Sequence, residues 1–212
     1  MKPIRELLWI GLVSLTAFVG VTSCVSPVYE TARIEPGWKF NLGVCATSFA
    51  FAATDFGFYA VGLRADAVAR HAPNSWFEAS ARLGGGVGLD PYYGDFYPLV
   101  DGGIGFKFAY PGKRLHPALK LELEPYMMGG GIAPTFLLGI AGERQPEAVT
   151  VGIRPHLVAG YIPVGIDLLA TIHSPKGHSI FLGIDIPPLF VFESPTVVAT
   201  AGIGWKFGSK KD

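Results

Sequence analysis

Cysteine is nearly absent: Cys24 and Cys45 are the only two in 212 residues, too few for the disulfide framework of a small secreted domain. Charge is scarce as well. Seventeen basic and 17 acidic side chains make up 16% of the chain, and without an excess of cations a nucleic-acid partner is set aside. Beyond the N-terminal segment no apolar run is long enough for a membrane helix, because 28 Gly and 17 Pro interrupt each one. Phosphate-binding glycine loops are missing too. Gly84-Gly85-Gly86 and Gly129-Gly130-Gly131 lead into neither a strand-to-helix unit nor a Lys-Ser/Thr pair, so these glycines serve strand bends and close strand approach.

What the chain does have is apolar residues, half of the total, and they alternate with polar ones. Strand side chains point to opposite faces with period two. From about residue 37, Trp38, Phe40, Leu42, Val44 and Ala46 oppose Lys39, Asn41, Gly43, Cys45 and Thr47. Tyr59, Val61, Leu63 and Ala65 oppose Gly62, Arg64 and Asp66; Phe77, Ala79, Ala81 and Leu83 oppose Glu78, Ser80 and Arg82; Ile104, Phe106 and Phe108 oppose Asp101, Gly103, Gly105 and Lys107. The clearest case sets Leu119, Leu121 and Leu123 against Lys120, Glu122 and Glu124, which no helix would do. Val151, Ile153 and Leu157 then oppose Arg154 and His156, and Ile166, Leu168 and Ile172 oppose Asp167 and His173. Ile180, Leu182, Ile184 and Ile186 flank Gly183 and Asp185, and Ile203, Trp205 and Phe207 oppose Gly202, Gly204 and Lys206. A weaker apolar segment, residues 134–141, makes ten strands, with eight as the alternative because the regions around Pro134 and Pro163 are weak.

A soluble sandwich buries its apolar stripes in one shared core between two sheets, and nine bulky stripes would overfill it. A closed barrel in lipid accepts all of them: every backbone donor pairs with the next strand, and the apolar face meets acyl chains. The expectation is an all-β, antiparallel up-and-down transmembrane β-barrel over residues 37–208. Turn signals such as Pro111-Gly112-Lys113 and Pro175-Lys176-Gly177 separate the strands. Trp38, Phe40, Phe77, Phe106, Phe108, Tyr110, Trp205 and Phe207 then gather at one end, as an interfacial girdle requires. Tyr92, Tyr93, Phe96 and Tyr97 mark an aromatic loop at the other.

The N-terminus carries Lys2 and Arg5, an apolar stretch over residues 7–21 and then Val21-Thr22-Ser23-Cys24, the three-part layout of a secretory signal. The last four residues resemble the lipobox of bacterial lipoproteins, which implies cleavage before Cys24 and lipidation (palmitate or a similar acyl chain) on it. Val25, in place of Asp, implies sorting to the outer membrane. As a whole the chain resembles small bacterial outer-membrane β-barrel proteins, here with a lipoprotein signal. That resemblance implies the bacterial cell outer membrane as location, with the lipid anchor on the periplasmic side, and outer-membrane lipids and the barrel assembly and lipoprotein processing machinery as partners. In that class the last strand commonly ends in an aromatic residue; Phe207 fits, although five residues follow it. The expected organisation is a signal peptide at 1–23, a periplasmic lipid-anchored linker at 24–36, the barrel at 37–208 and a tail at 209–212.

The inward set comprises Lys39, Arg64, Arg82, Lys107, Lys120, Arg154 and Lys206 against Asp66, Glu78, Asp101, Glu122, Glu124, Asp167 and Asp185, with His156 among them. A barrel of eight to ten strands is narrow enough for side chains to fill it, and charges withdrawn from water need partners. A balanced ion-pair network is therefore expected, in a non-enzymatic protein with a structural role in the envelope and no cofactor. A narrow porin-like channel or transporter for small or hydrophobic solutes is the alternative, and a lipid-modifying outer-membrane enzyme the third reading. His71, His116, His173 and His178, with Ser174 and Ser179, do not converge on one site at the outer end, where such an enzyme would work. Cys45 lies within a strand pattern and serves packing.

Overall fold

The computed structural model describes residues 27–51, 57–89, 94–124, 131–143, 145–158, 162–186 and 196–208. Ten strands follow in chain order: β1 (Gly37–Phe51), β2 (Gly57–Ala72), β3 (Phe77–Leu89), β4 (Phe96–Ala109), β5 (Leu115–Glu124), β6 (Gly131–Ile140), β7 (Val149–Val158), β8 (Ile162–His173), β9 (His178–Ile186) and β10 (Thr196–Gly208). Each pairs antiparallel with its neighbour in sequence. The ring closes where β10 meets β1, in register from Lys39↔Gly208 to Phe51↔Thr196. The fold is thus a closed up-and-down antiparallel barrel, and the weak segments at Pro134 and Pro163 belong to β6 and β8, which makes ten strands rather than eight.

The period-two pattern dictates which way each strand faces. Strand β9 alternates without exception, with Ile180, Leu182, Ile184 and Ile186 exposed and Ser179, Phe181, Gly183 and Asp185 buried. The outer wall is therefore a belt of aliphatic side chains: Leu63 is 63% exposed, Leu83 67% and Leu182 53%. A water-soluble barrel would not carry so broad an apolar surface.

An even number of strands brings Gly37 and Gly208 to one mouth, together with the turns at 73–76, 110–114, 141–148 and 174–177. This near mouth carries an aromatic girdle. Trp38, Phe40, Trp76, Phe106, Phe108, Tyr110 and Phe207 are all exposed there. Trp38 stacks on Phe40, with ring centroids 6.3 Å apart, and Phe77 lies against both Phe106 and Phe108. Of the aromatic loop at the far mouth, Phe96 is exposed, while Tyr92 and Tyr93 lie outside the described residues, as does Cys24.

One expectation fails. Residues 27–36, expected to form part of a periplasmic linker, fold back through the near mouth into the lumen, where Val28, Tyr29, Glu30, Ala32 and Ile34 are buried. The reason is apolar: Val28, Tyr29, Ala32 and Ile34 form one cluster with wall residues Ala72, Ala109, Ala118, Leu137, Leu169 and Phe181. The barrel thus has a small hydrophobic core of its own on the inside. We call this segment the strap.

Because the outer wall is built to meet acyl chains, a charge placed on it should be costly. Leu182→Arg, near mid-height of β9, should lower stability by about 2–4 kcal/mol in a bilayer. Urea titration of the protein refolded into liposomes measures this, and an unchanged midpoint would mean that this face does not contact lipid.

Candidate functional site

The strap is held at three levels. Deepest, the Val28 carbonyl accepts a hydrogen bond from Thr171 Oγ1 at 2.5 Å. The Tyr29 ring lies flat on glycines: a Cβ on Gly43 or Gly204 would fall within the ring, and one on Gly202 would meet its hydroxyl. Phe181 meets Tyr29 edge-on, with centroids 6.0 Å apart. Lumen-facing glycines in β1 and β10 therefore provide the space that the tyrosine fills.

Above this, Glu30 enters a cluster of wall cations. Its carboxylate is 2.9 Å from Lys120 Nζ, 3.6 Å from Lys107 Nζ and 3.7 Å from Arg70 Nη1. Glu78 takes Lys107 at 2.7 Å and Arg70 at 3.4 Å. Arg70 also donates to Asn41 Oδ1 at 2.6 Å. Lys107 in turn donates to the Thr31 carbonyl at 2.9 Å.

At the mouth, Glu147 clamps the strap. Both of its oxygens accept backbone N–H groups, from Ala32 and Arg33, each at 2.7 Å. Thr150 donates its hydroxyl to Glu147 at 2.5 Å and accepts from His173 Nε2 at 2.7 Å. Gly139 permits this fold-back, since a Cβ there would overlap the Glu147 carboxylate. Glu35 pairs with Lys206 at 2.8 Å and Lys39 at 3.1 Å. Burial opposes its charge, but the two lysines outweigh burial and hold its carboxyl at about 2; it is ionised across the physiological range.

The fifteen lumen residues expected from the sequence all lie on strands, on the inner face. Twelve are buried; Asp101, His156 and Lys206 are half-buried. Most of them join one network. Arg64 bonds Asp66 at 2.9 Å and Asp101 at 3.1 Å, and Arg82 reaches Asp101, Glu122 at 2.8 Å and Glu124 at 3.2 Å. Glu122 continues to Lys120 at 3.2 Å, which connects the wall to Glu30. His156 sits between Glu124 at 3.3 Å and Asp167 at 2.9 Å, and Asp167 also takes Arg154 at 3.4 Å. Asp185 faces Asp167 directly across the β8–β9 ladder.

The sequence reading missed Arg70, Glu30, Glu35 and Glu147. Arg70 had a signal, since it continues the inward phase of Arg64 and Asp66 along β2. Including it gives the wall eight permanent cations against seven carboxylates, and the strap adds two more carboxylates, Glu30 beside Arg70, Lys107 and Lys120 and Glu35 beside Lys39 and Lys206.

Both ring nitrogens of His156 are engaged by carboxylates, and His173 is held by Thr150. His116 bonds the Pro146 carbonyl through Nε2 at 2.9 Å, His71 lies against Trp38 and His178 is exposed. Cys45 is buried, 3.6 Å from Asp66. No cluster of three or more metal-ligating side chains occurs among the described residues.

No family model matches this chain, and no curated protein matches it. Solved structures similar to it include the attachment invasion locus protein Ail of Yersinia pestis, with 9% identity over 82% of this chain and all of that one, at a TM-score of 0.39. A de novo designed transmembrane β-barrel shares 14% identity over 82% of this chain and 99% of the design, at 0.33. The translocator domain of the autotransporter NalP from Neisseria meningitidis shares 10% over 82% of this chain and 90% of that one, at 0.39. Likenesses this distant carry no functional argument.

The Glu147 clamp gives a direct test of how the strap is held. Glu147→Ala removes three acceptor contacts, two of them to backbone N–H groups, and should weaken docking of the strap by about 2–4 kcal/mol. Trypsin should then cut after Arg33 in the detergent-solubilised variant much faster than in the parent protein. Equal cleavage rates would mean that Glu147 does not hold the strap.

Proposed function

We propose that the protein is a non-enzymatic bacterial outer-membrane barrel with a structural role in the envelope, and that its lumen is sealed rather than conducting. The observation that carries this reading is the occupied interior. The strap fills the near half of the barrel, and ion pairs from Arg64 to Arg154 cross the remainder. A conducting pore keeps a water-lined path and commonly a bias toward one charge sign; here the charges are consumed by one another.

Support for the membrane comes from the aliphatic outer wall and the aromatic girdle. With an even strand count and both barrel ends at the near mouth, that mouth faces the periplasm in this reading. The engagement of each lumen histidine by protein groups supports a non-enzymatic role. The partners proposed are outer-membrane lipids and the machineries for barrel assembly and lipoprotein processing.

Acylation of Cys24 is a separate part of the proposal and carries a structural consequence. Only Val25 and Ser26 separate Cys24 from Pro27, a reach of about 10 Å. Pro27 lies beside Asn41, Val68, Arg82 and Lys120, well inside the wall. A docked strap and a Cys24 anchored in a leaflet are therefore alternatives for one molecule, and the sealed lumen proposed here is that of the chain without acyl chains.

Planar-bilayer recording of the full chain, with intact mass measured on the same preparation, tests the reading. The expected result for protein without acyl chains is a silent bilayer. Steady single-channel steps from that species would replace the sealed barrel with the narrow channel.

A further inference from the structure

Between the strap and the turns of the near mouth lies a cavity of about 440 Å³, lined by Arg33 and Glu35 of the strap, Tyr110, Pro111 and Lys113 of the β4–β5 turn, and His116 of β5. We infer that this cavity takes the headgroup of an anionic, hydroxyl-bearing phospholipid such as phosphatidylglycerol from the leaflet at that mouth. The inference rests on the outer-membrane reading above.

Three observations carry it. First, the cavity holds an unbalanced positive charge. Arg33 and Lys113 are exposed and make no ion pair among the described residues, while the one carboxylate in the lining, Glu35, is already committed to Lys39 and Lys206. A guanidinium and an ammonium at one cavity suit a phosphodiester.

Second, His116 is only 3% exposed, and its Nδ1 is buried without a hydrogen-bond partner. The Pro146 carbonyl can only accept, so Nε2 carries a proton and donates it. Nδ1 is left without a partner among the described residues. A headgroup hydroxyl, which both donates and accepts, would satisfy it once the atoms that cover Nδ1 give way, whereas the quaternary ammonium of choline has no N–H or O–H to give.

Third, the cavity is continuous with the lipid-facing wall. Tyr110 lines it and is also part of the aromatic girdle, 72% exposed one residue past the end of β4. The girdle marks the depth of headgroups, so a lipid lying along Phe108 would bring its phosphate to Arg33 and Lys113. The volume falls in the range of small-ligand sites.

The test is native mass spectrometry of the full chain folded in detergent, with equimolar short-chain phosphatidylglycerol and phosphatidylcholine and with glycerol 3-phosphate as a soluble competitor. The expected result is preferential retention of phosphatidylglycerol. Retention should fall about tenfold or more in the double variant Arg33→Gln/Lys113→Gln, and stay unchanged in Lys176→Gln, a rim cation outside the cavity. Both changed side chains are exposed, so the barrel should still form, and its heat-dependent shift on gels verifies that. Equal retention of the two lipids, or full retention by the double variant, would overturn the inference while leaving the membrane reading intact. Displacement by glycerol 3-phosphate at matching concentration would assign the cavity to a soluble anion and overturn it too. A chain that forms no barrel in detergent would defeat the outer-membrane reading and this inference with it.

Discussion

Charge pairing in an interior largely withdrawn from water is the constraint on which the rest of this structure depends. The wall of a ten-stranded barrel turns half of its side chains inward, and here those include Arg70, Lys107 and Lys120 within one small region. An ion withdrawn from water costs several kcal/mol unless a partner of opposite sign meets it. Glu78 and Glu122 offset part of that cost, and Glu122 is shared with Arg82. Glu30, arriving on a segment outside the barrel sequence, completes the set. The strap is thus an electrostatic component of the barrel interior as well as a packed one.

Apolar packing and charge act on the strap together. Tyr29 lies on a floor of glycines and against Phe181, while Ala32 and Ile34 join wall alanines and Leu137 in the inner cluster. Burial of this kind is non-directional, and alone it would leave the segment free to slide. Glu147 fixes its register by accepting two consecutive backbone N–H groups, an arrangement that no neighbouring pair along the strap could satisfy without shifting Glu30 from its lysines.

The barrel was legible in the sequence because period-two alternation is a local signal, and a pattern such as Leu119 to Glu124 admits one reading. The strand count was harder. Strand β6 presents Ala133, Thr135, Leu137 and Gly139 to the lumen, so its inner face holds no charge to contrast with its outer one. The strap was not legible from its own residues, since Pro27 to Pro36 follow no strand or helix period and read as a spacer. Its traces lay elsewhere: the glycines at 43, 202 and 204 leave a hollow on the inner wall, and Arg70 leaves one cation without a wall carboxylate. Neither points to a particular segment until the strands are placed in register. The same holds for Glu147, which lies in a turn and earns its role only through the chain it meets.

Occupancy of the lumen by residues 27–36 in the folded protein decides whether the wall cations find their partners this way. Amide hydrogen exchange of the detergent-solubilised barrel, read at Ala32 and Arg33, measures this most directly, because those two N–H groups are the ones that Glu147 accepts. Protection approaching that of the surrounding strand amides is the predicted result. Exchange at the rate of an unstructured chain, with the strands still protected, would contradict it.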